Sequence, residues 1–355
     1  LETELVHEQA CALATSTWSA DFGGRVAFLA ARHPVHGFTA DRAEFLGGGS
    51  LAQPEALARW GLSGSTEPSG APCAALQVHL ELSPQEERET HFVLGQAASR
   101  DAALALASRF REPEVVSAAW RALSDFWDER LGVFQVKTPE PAMDLMLNRW
   151  LLYQTLSARV LARTGFYQSS GAFGYRDQLQ DILALLAVAP QQARAHLLEA
   201  ARHQFVEGDV LHWWHPPSGR GVRTRCSDDL AWLPYVTAEY VAATGDAAIL
   251  DESVPFLEGE ALRADEAERY AEFQPGQRVG SLFEHCRLAV ERALTEGSHG
   301  LPLMGTGDWN DGMSRVGAQG RGESVWLGWF LCAVMERLAA LTARRGALPE
   351  ATSWR

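Results

Sequence analysis

Three short segments concentrate the residues whose types and spacing could do chemistry. Gly305-Thr306-Gly307-Asp308-Trp309-Asn310-Asp311-Gly312-Met313 sets two carboxylates around an aromatic ring, with glycine at 305, 307 and 312. So many glycines imply a tight backbone rather than a packed helix. On such a loop one carboxylate can anchor the backbone while the other projects into a pocket. Beside Trp309 a carboxyl group is partly desolvated, which favours its protonated form and suits a general acid. Such an acid typically contributes about 10²–10⁴ in rate. The competing reading is an Asx-turn with capping aspartates, or a calcium-binding loop.

The second segment is Tyr175-Arg176-Asp177-Gln178-Leu179-Gln180-Asp181, entering a predicted helix. Asp177 and Asp181 stand four apart and share a helix face, with Gln180 adjacent. Arg176 can fork onto vicinal hydroxyls or hold one of the carboxylates. Planar polar groups at a helix entry suit sugar hydroxyls; the alternative is a capping and ion-pair arrangement, since acidic residues favour a helix start. The third segment runs from His212 to Arg225, as His-Trp-Trp-His-Pro-Pro-Ser-Gly-Arg-Gly-Val-Arg-Thr-Arg. A metal reading of His212 and His215 lacks a third ligand at suitable spacing. Trp213 and Trp214 beside Pro216-Pro217 could form a sugar platform, and Arg220, Arg223 and Arg225 a local anion site. A stiff loop packed on its own aromatics is the alternative. His285 and Cys286 lie on an apolar helix as core or boundary residues, and Glu284 offers a second carboxylate that spacing does not support. GxSxG, Walker A, GxGxxG and HExxH are absent.

The elements that must position these segments change in kind along the chain. The first hundred residues read as β-rich. Leu76, Val78, Leu80 and Leu82 alternate with polar residues, a polar turn follows at residues 83–88, and His91 to Leu94 predicts the hairpin partner. Arg25 to Leu29 predicts another strand. Asp101–Phe110 and Pro113–Leu131 predict two linking helices, Pro113 sitting in a first turn, and residues 133–141 an extended crossing. From Ala142 onward the pattern predicts helices only, with no strand: Met143, Met146, Leu147, Trp150 and Tyr153 at helical spacing, then 177–189, 191–205, 228–244, 281–296 and 323–344. The three polar segments fall at the joints of these helices. Helical hairpins laid around a ring would bring such joints to one end, as an α/α barrel does, although a helical repeat array gives the same spacing.

Composition sets the outer bounds. A chain of 355 residues suggests about two domains. With 45 acidic and 31 basic residues the net charge is −14, which argues against nucleic acid or an anionic membrane as partner. No apolar run of about 18 residues and no basic leader is visible. The cysteines at 11, 73, 226, 286 and 332 are scattered and form no CxxC pair, which fits a reducing compartment and no metal site. Twelve tryptophans against six tyrosines stand out, since indole faces stack on sugar rings, although most serve as core filler. The chain lacks an initial Met and stops at Trp354-Arg355 without a closing element, which reads as a fragment cut at both ends.

Together, Gly174–Asp181, His212–Gly221, Ser227-Asp228-Asp229 and Gly305–Met313 resemble glycoside hydrolase family 94, in the branch of the phosphorylase-like region of cyclic β-1,2-glucan synthases and the 1,2-β-oligoglucan phosphorylases. The resemblance implies a multi-domain, mainly α chain: the C-terminal part of a β-sandwich (1–98), a helical linker (99–138) and the first part of an (α/α)6 catalytic barrel (139–355). It implies that Asp311 is the general acid and that Trp309 lines the sugar site. Arg176 and Asp181 would hold the glucosyl unit at the cleaved end, with Tyr175, Asp177 and Gln180 close by. His212, Trp213, Trp214, His215 and Arg220 would contact glucan, and Arg223 and Arg225 the anion, with the main phosphate site beyond Arg355. Asp308 is placed at the substrate as well, with a structural role favoured.

The implied reaction is inverting phosphorolysis of a β-glucan to α-glucose 1-phosphate. Phosphate is the nucleophile, so no partner base is required, whereas an inverting hydrolase needs one. Phosphate is a co-substrate, and no cofactor or metal is expected. Partners are then a β-glucan or glucooligosaccharide and phosphate, with no nucleic acid and no membrane contact by this segment; a homodimer suits the full-length protein. The expected location is cytoplasmic, with the full-length protein open to tethering at the inner membrane. Competing readings are an inverting β-glucan hydrolase of the same barrel type and a non-catalytic glucan-binding fragment, and weak or absent activity is expected of this chain alone.

Overall fold

A computed structural model describes residues 1–18, 23–161, 171–216 and 218–345. Pro217 and Trp354-Arg355, used in the sequence reading, lie outside the described residues. The chain divides into two compact units, Leu1–Phe126 and Trp127–Arg355.

In the first unit β1 (Glu2–Val6), β2 (Cys11–Thr15), β3 (Val26–Ala31) and β6 (Phe92–Ala97) form an antiparallel sheet in the order β1-β2-β3-β6. A separate pair joins β4 (Gly37–Asp41) to β5 (Pro72–Gln77). Cys11, Leu13, Val26, Phe28 and Ala30 alternate inward and meet Ala103, Leu104 and Ala107 of α2 (Arg100–Arg109). The short α1 (Arg42–Leu46) is capped by Asp41. The expected hairpin between residues 76–82 and 91–94 does not form. β5 ends at Gln77 and pairs with β4, while β6 pairs with β3, because the inward set of β6 completes the sheet already built by β2 and β3. α3 (Pro113–Leu131) follows.

The second unit is built on helices: α4 (Pro141–Leu145), α5 (Leu151–Gln154), α6 (Tyr175–Ile182), α7 (Pro190–Ala201), α8 (Asp229–Thr244), α9 (Leu282–Ala293) and α10 (Val325–Arg344). Leu179, Ile182, Leu197, Leu233, Val236, Val290, Leu331 and Val334 join one core. Residues 325–343 are long and apolar enough to cross a membrane by length and composition, with mean hydropathy 1.4, contrary to the sequence reading. Leu327, Leu331, Val334 and Leu338 are nonetheless buried in the core of this unit, as in a core helix. His285 and Cys286 are buried on α9 as expected, and Glu284 pairs with Arg278 at 2.9 Å.

The expectation of helices alone after Ala142 is corrected. β7 (Phe173–Gly174), β8 (Leu211–His215), β9 (Arg220–Thr224) and β11 (Glu268–Glu272) form a sheet in the order β11-β9-β8-β7, and β10 (Ser253–Glu258) pairs with β12 (Gln274–Ser281). The segment from His212 to Arg225 is therefore largely a hairpin. Its strands carry Trp, His and Arg on both faces, so the apolar–polar alternation that marks a half-buried strand is missing. Gly219, at φ +67°, supplies the turn conformation.

Candidate active site

The loop at 305–312 is fastened by its backbone to the segment leading into α8. Thr306 N donates to the Arg225 carbonyl at 3.1 Å and Ser227 N to the Gly307 carbonyl at 2.9 Å. Gly305 holds φ +64°, and a Cβ there would lie 1.9 Å from the Arg225 carbonyl oxygen, so only glycine allows this approach. Asp308 is buried. It accepts from Asn310 N at 2.9 Å and from Ser324 Oγ at 2.6 Å, and the same Oγ caps α10 by accepting from Leu327 N at 3.0 Å. Its carboxylate is thus the anchor of the loop and not a group facing sugar. Asn310 accepts from Gly312 N at 3.0 Å and starts a single helical turn at Asp311.

The start of α6 supplies the link between these parts. Arg176 Nη1 donates to both oxygens of Asp228, at 3.1 and 3.2 Å, and to the Asp308 carbonyl at 3.0 Å. Its Nη2 donates to Asp311 Oδ1 at 2.5 Å. Asp228 is fully buried and also accepts from Trp232 Nε1 at 3.1 Å, whereas the Asp311 side chain is 64% exposed and can reach a ligand. Burial works against the charge of Arg176, but Asp228 and Asp311 outweigh it and raise its pKa. Burial and the adjacent Asp229 raise Asp228, against the pull of Arg176.

His212 enters from β8 at a β-bulge. Leu211 pairs with Arg223 and Trp213 with Val222, so His212 is the extra residue of its strand, a device that re-aims a side chain. Its Nδ1 meets Asp229 Oδ2 at 2.7 Å. Burial opposes the imidazolium, yet the Asp229 carboxylate prevails and pushes the His212 pKa up to about 9.

Tyr175, Arg176, Asp177, His212, Trp213, His215 and Asp311 of the sequence-predicted set line one pocket of about 390 Å³, together with Ala172, Gly174 and Asp229. That volume suits a small-molecule site, roughly 300–1,000 Å³. The Tyr175 hydroxyl is turned into the core, where burial raises its pKa. A larger cavity of about 700 Å³ shares Asp229 with this pocket but does not include Arg176 or Asp311.

The other expected residues lie elsewhere. Trp214 is 2% exposed and stacks on His203 at 3.8 Å, so it is core and not a sugar platform. Arg223 is buried: Nε and Nη2 engage Asp209 at 2.7 Å each and Nη1 the carbonyls of Gly259 and Glu260. Arg225 Nε and Nη2 donate to the carbonyls of Glu266, Leu262 and Arg263. Both arginines brace a neighbouring turn, and the anion role expected of them is corrected, because backbone and carboxylate acceptors already hold their donors. Asp181 pairs with Arg159 at 3.0 Å, and neither it nor Gln180 nor Arg220 lines the pocket. Trp309 is 52% exposed beside Trp326 and also outside it.

Asp228 and Asp229, quoted in the sequence analysis without a role, are the buried partners of Arg176 and His212. Two adjacent carboxylates ahead of an apolar helix were the available signal. His212, Cys226 and Asp229 also place potential ligand atoms within 4.8 Å of one another, as a metal site would. A closed structural site takes four ligands; the His212–Asp229 contact is a hydrogen bond, and burial holds the Cys226 thiol protonated.

Two family models cover the chain. Residues 126–354 match the catalytic domain of the glycosyl hydrolase 94 superfamily, and residues 1–113 match the family's supersandwich domain. The chain belongs to glycoside hydrolase family 94. The family 94 relatives include the cyclic beta-(1,2)-glucan synthase NdvB of Rhizobium meliloti (strain 1021), 44% identical over 96% of this chain and 12% of that protein. They also include an N,N'-diacetylchitobiose phosphorylase of Vibrio proteolyticus, 27% identical over 86% of this chain and 39% of the relative. A 1,2-beta-oligoglucan phosphorylase of Listeria innocua serovar 6a is 26% identical over 66% of this chain and 22% of the relative. The chain thus spans well under half the length of these curated relatives. The supersandwich match accounts for the sheets of the first unit and the catalytic match for the helical second unit.

Proposed function

We propose that this chain carries the acid side of an inverting phosphorylase acting on a β-linked glucan, a β-1,2-glucooligosaccharide above all. The observation that carries this reading is the position of Asp311, an exposed side chain in the lining of the pocket, held by Arg176. Asp311 protonates the departing glycosidic oxygen while phosphate attacks the anomeric carbon from the opposite face, giving α-glucose 1-phosphate. Asp311 can donate from Oδ2 while its Oδ1 goes on accepting from Arg176 Nη2. Asp177 and Trp213 present a carboxylate and an indole to the sugar. The helices of the second unit are, in this reading, the first part of an (α/α)6 barrel. Phosphorylases among the relatives support the reaction type, and NdvB together with the oligoglucan phosphorylase supports the β-1,2 linkage.

The test is phosphate dependence in the full-length protein. Cleavage of β-1,2-glucooligosaccharide should yield α-glucose 1-phosphate only with phosphate present, and Asp311→Asn should lower the rate by about 10²–10⁴ with glucan binding retained. Equal cleavage in phosphate-free buffer would replace this reading with hydrolysis.

A further inference from the structure

The first unit carries a cluster of rings that the proposed reaction does not use. Trp60 is 79% exposed. The exposed imidazoles of His36 and His79 stack on each other at 3.8 Å, and the indole stands against them at 5.5 and 4.3 Å, inclined by 76° and 61°. Large exposed side chains scattered singly are ordinary; three exposed rings gathered at one spot are not. The backbone fixes them there. His36 and His79 flank the end of the β4–β5 pair, where Gly37 pairs with Gln77. Gln77 Nε2 donates to the Arg59 carbonyl at 2.8 Å, and His36 N to the Gln77 carbonyl at 2.7 Å. Beyond Trp60 the chain runs along β4: Gly64 N donates to the Phe38 carbonyl and Ala40 N to the Ser65 carbonyl, at 2.8 Å each. A Cβ at Gly37 would lie 2.8 Å from Leu62 N, so glycine there lets the Trp60 segment close onto the strand. Trp60 is thus tied on both sides, and the cost of ordering it is met by the fold rather than by a ligand.

The chemistry of the rings selects the ligand. Planes inclined at such angles form a corner beside an open indole face, not a flat apolar patch. All three rings carry nitrogens, and none of those nitrogens has a hydrogen-bond partner among the described residues. Aliphatic side chains of a protein partner would leave them desolvated and unpaired. A pyranose matches both features: its C–H face lies on an aromatic ring, and its hydroxyls donate to and accept from imidazole nitrogens. The proposed function, on which the choice of ligand rests, makes that sugar a β-linked glucan. A polymer gripped at a second point is held more firmly than at one. We propose that Trp60, His36 and His79 form a glucan-binding platform on the first unit, made of residues that the pocket with Asp311 does not share.

The 355-residue chain, labelled with ¹⁵N at histidine, tests this by titration with linear β-1,2-glucan at fixed pH. The side-chain nitrogens of His36 and His79, assigned through His36→Gln and His79→Gln, should shift saturably. In Trp60→Ala the midpoint of that shift should move to about 10-fold higher glucan or beyond, the scale of losing one central Trp from an interface. At 79% exposure the indole can be removed without opening the core, and the wild-type signals carry the result even where a variant does not fold. Imidazoles that ignore glucan, an unchanged midpoint in Trp60→Ala, or an equal response to dextran, an α-linked glucan, would each overturn the assignment. So would shifts that follow protein concentration instead of glucan, the mark of a second copy on these rings. Silent imidazoles in a protein whose full-length form phosphorolyses β-1,2-glucan sink this inference and leave the phosphorylase reading standing. Responsive imidazoles in an enzyme that cleaves glucan equally well without phosphate do the reverse.

Discussion

Arg176 draws together three acceptors from two segments that are distant in sequence. One of them, Asp228, has no exposed surface. Arg176→Ala should therefore cost more than its own contacts, because a buried carboxylate loses its cation, a loss of about 3–5 kcal/mol. An unfolding free energy from denaturant titration within about 1 kcal/mol of wild type, on the order of the extrapolation error, would show that Asp228 finds another partner. His212 makes a pH prediction. Its folded pKa, near 9, is above its ordinary value. The stability it contributes is therefore fully present below about pH 6.5 and is lost as pH rises through about 9, amounting to at most about 3 kcal/mol. Melting temperature should fall across that window, and Asp229→Asn should flatten the fall. Asp228, a carboxylate raised by burial, titrates on the acid side of this window and does not mimic it.

At the scale of elements, the acid loop is positioned by what it is bolted to. Backbone bonds to residues 225–227 hold one end, and Asp308 ties the other to the Ser324 cap of α10. Gly305 is the tightest point. Gly305→Ala demands a left-handed conformation and a Cβ against the Arg225 carbonyl, so it should displace the loop and destabilise the chain by more than about 1 kcal/mol. In the full-length protein its activity loss should approach that of Asp311→Asn; full activity in the Gly305→Ala protein would mean that the loop does not depend on this approach. The hairpin β8–β9 does the corresponding work for His212, through one extra residue in one strand.

At the scale of the molecule, the chain covers 12% of NdvB and 39% of the chitobiose phosphorylase. We expect this segment alone to show little or no phosphorolysis of β-1,2-glucooligosaccharide, since it spans only a minor part of the length of these relatives. Turnover by the 355-residue chain comparable to that of the full-length protein would refute this.

Some of this was readable from residue order alone. The change from β-rich to helical character after the first hundred residues and the core helices at 191–205, 228–244, 281–296 and 323–344 follow from periodicity, which is a local property. Glycine spacing at 305–312 announced a tight loop for the same reason. What tertiary structure decided was the use of each polar group. Trp213 and Trp214 are neighbours in sequence, yet one lines the pocket and the other is core, because β-strand residues face opposite ways. Arg223 and Arg225 look like an anion site until Asp209 and the 259–266 carbonyls claim them. Asp308 and Asp311 are chemically identical; burial against Ser324 makes the first an anchor and exposure beside Arg176 leaves the second able to react. Such assignments depend on partners far apart in sequence, 135 residues for Arg176 and Asp311, and no local pattern contains that distance.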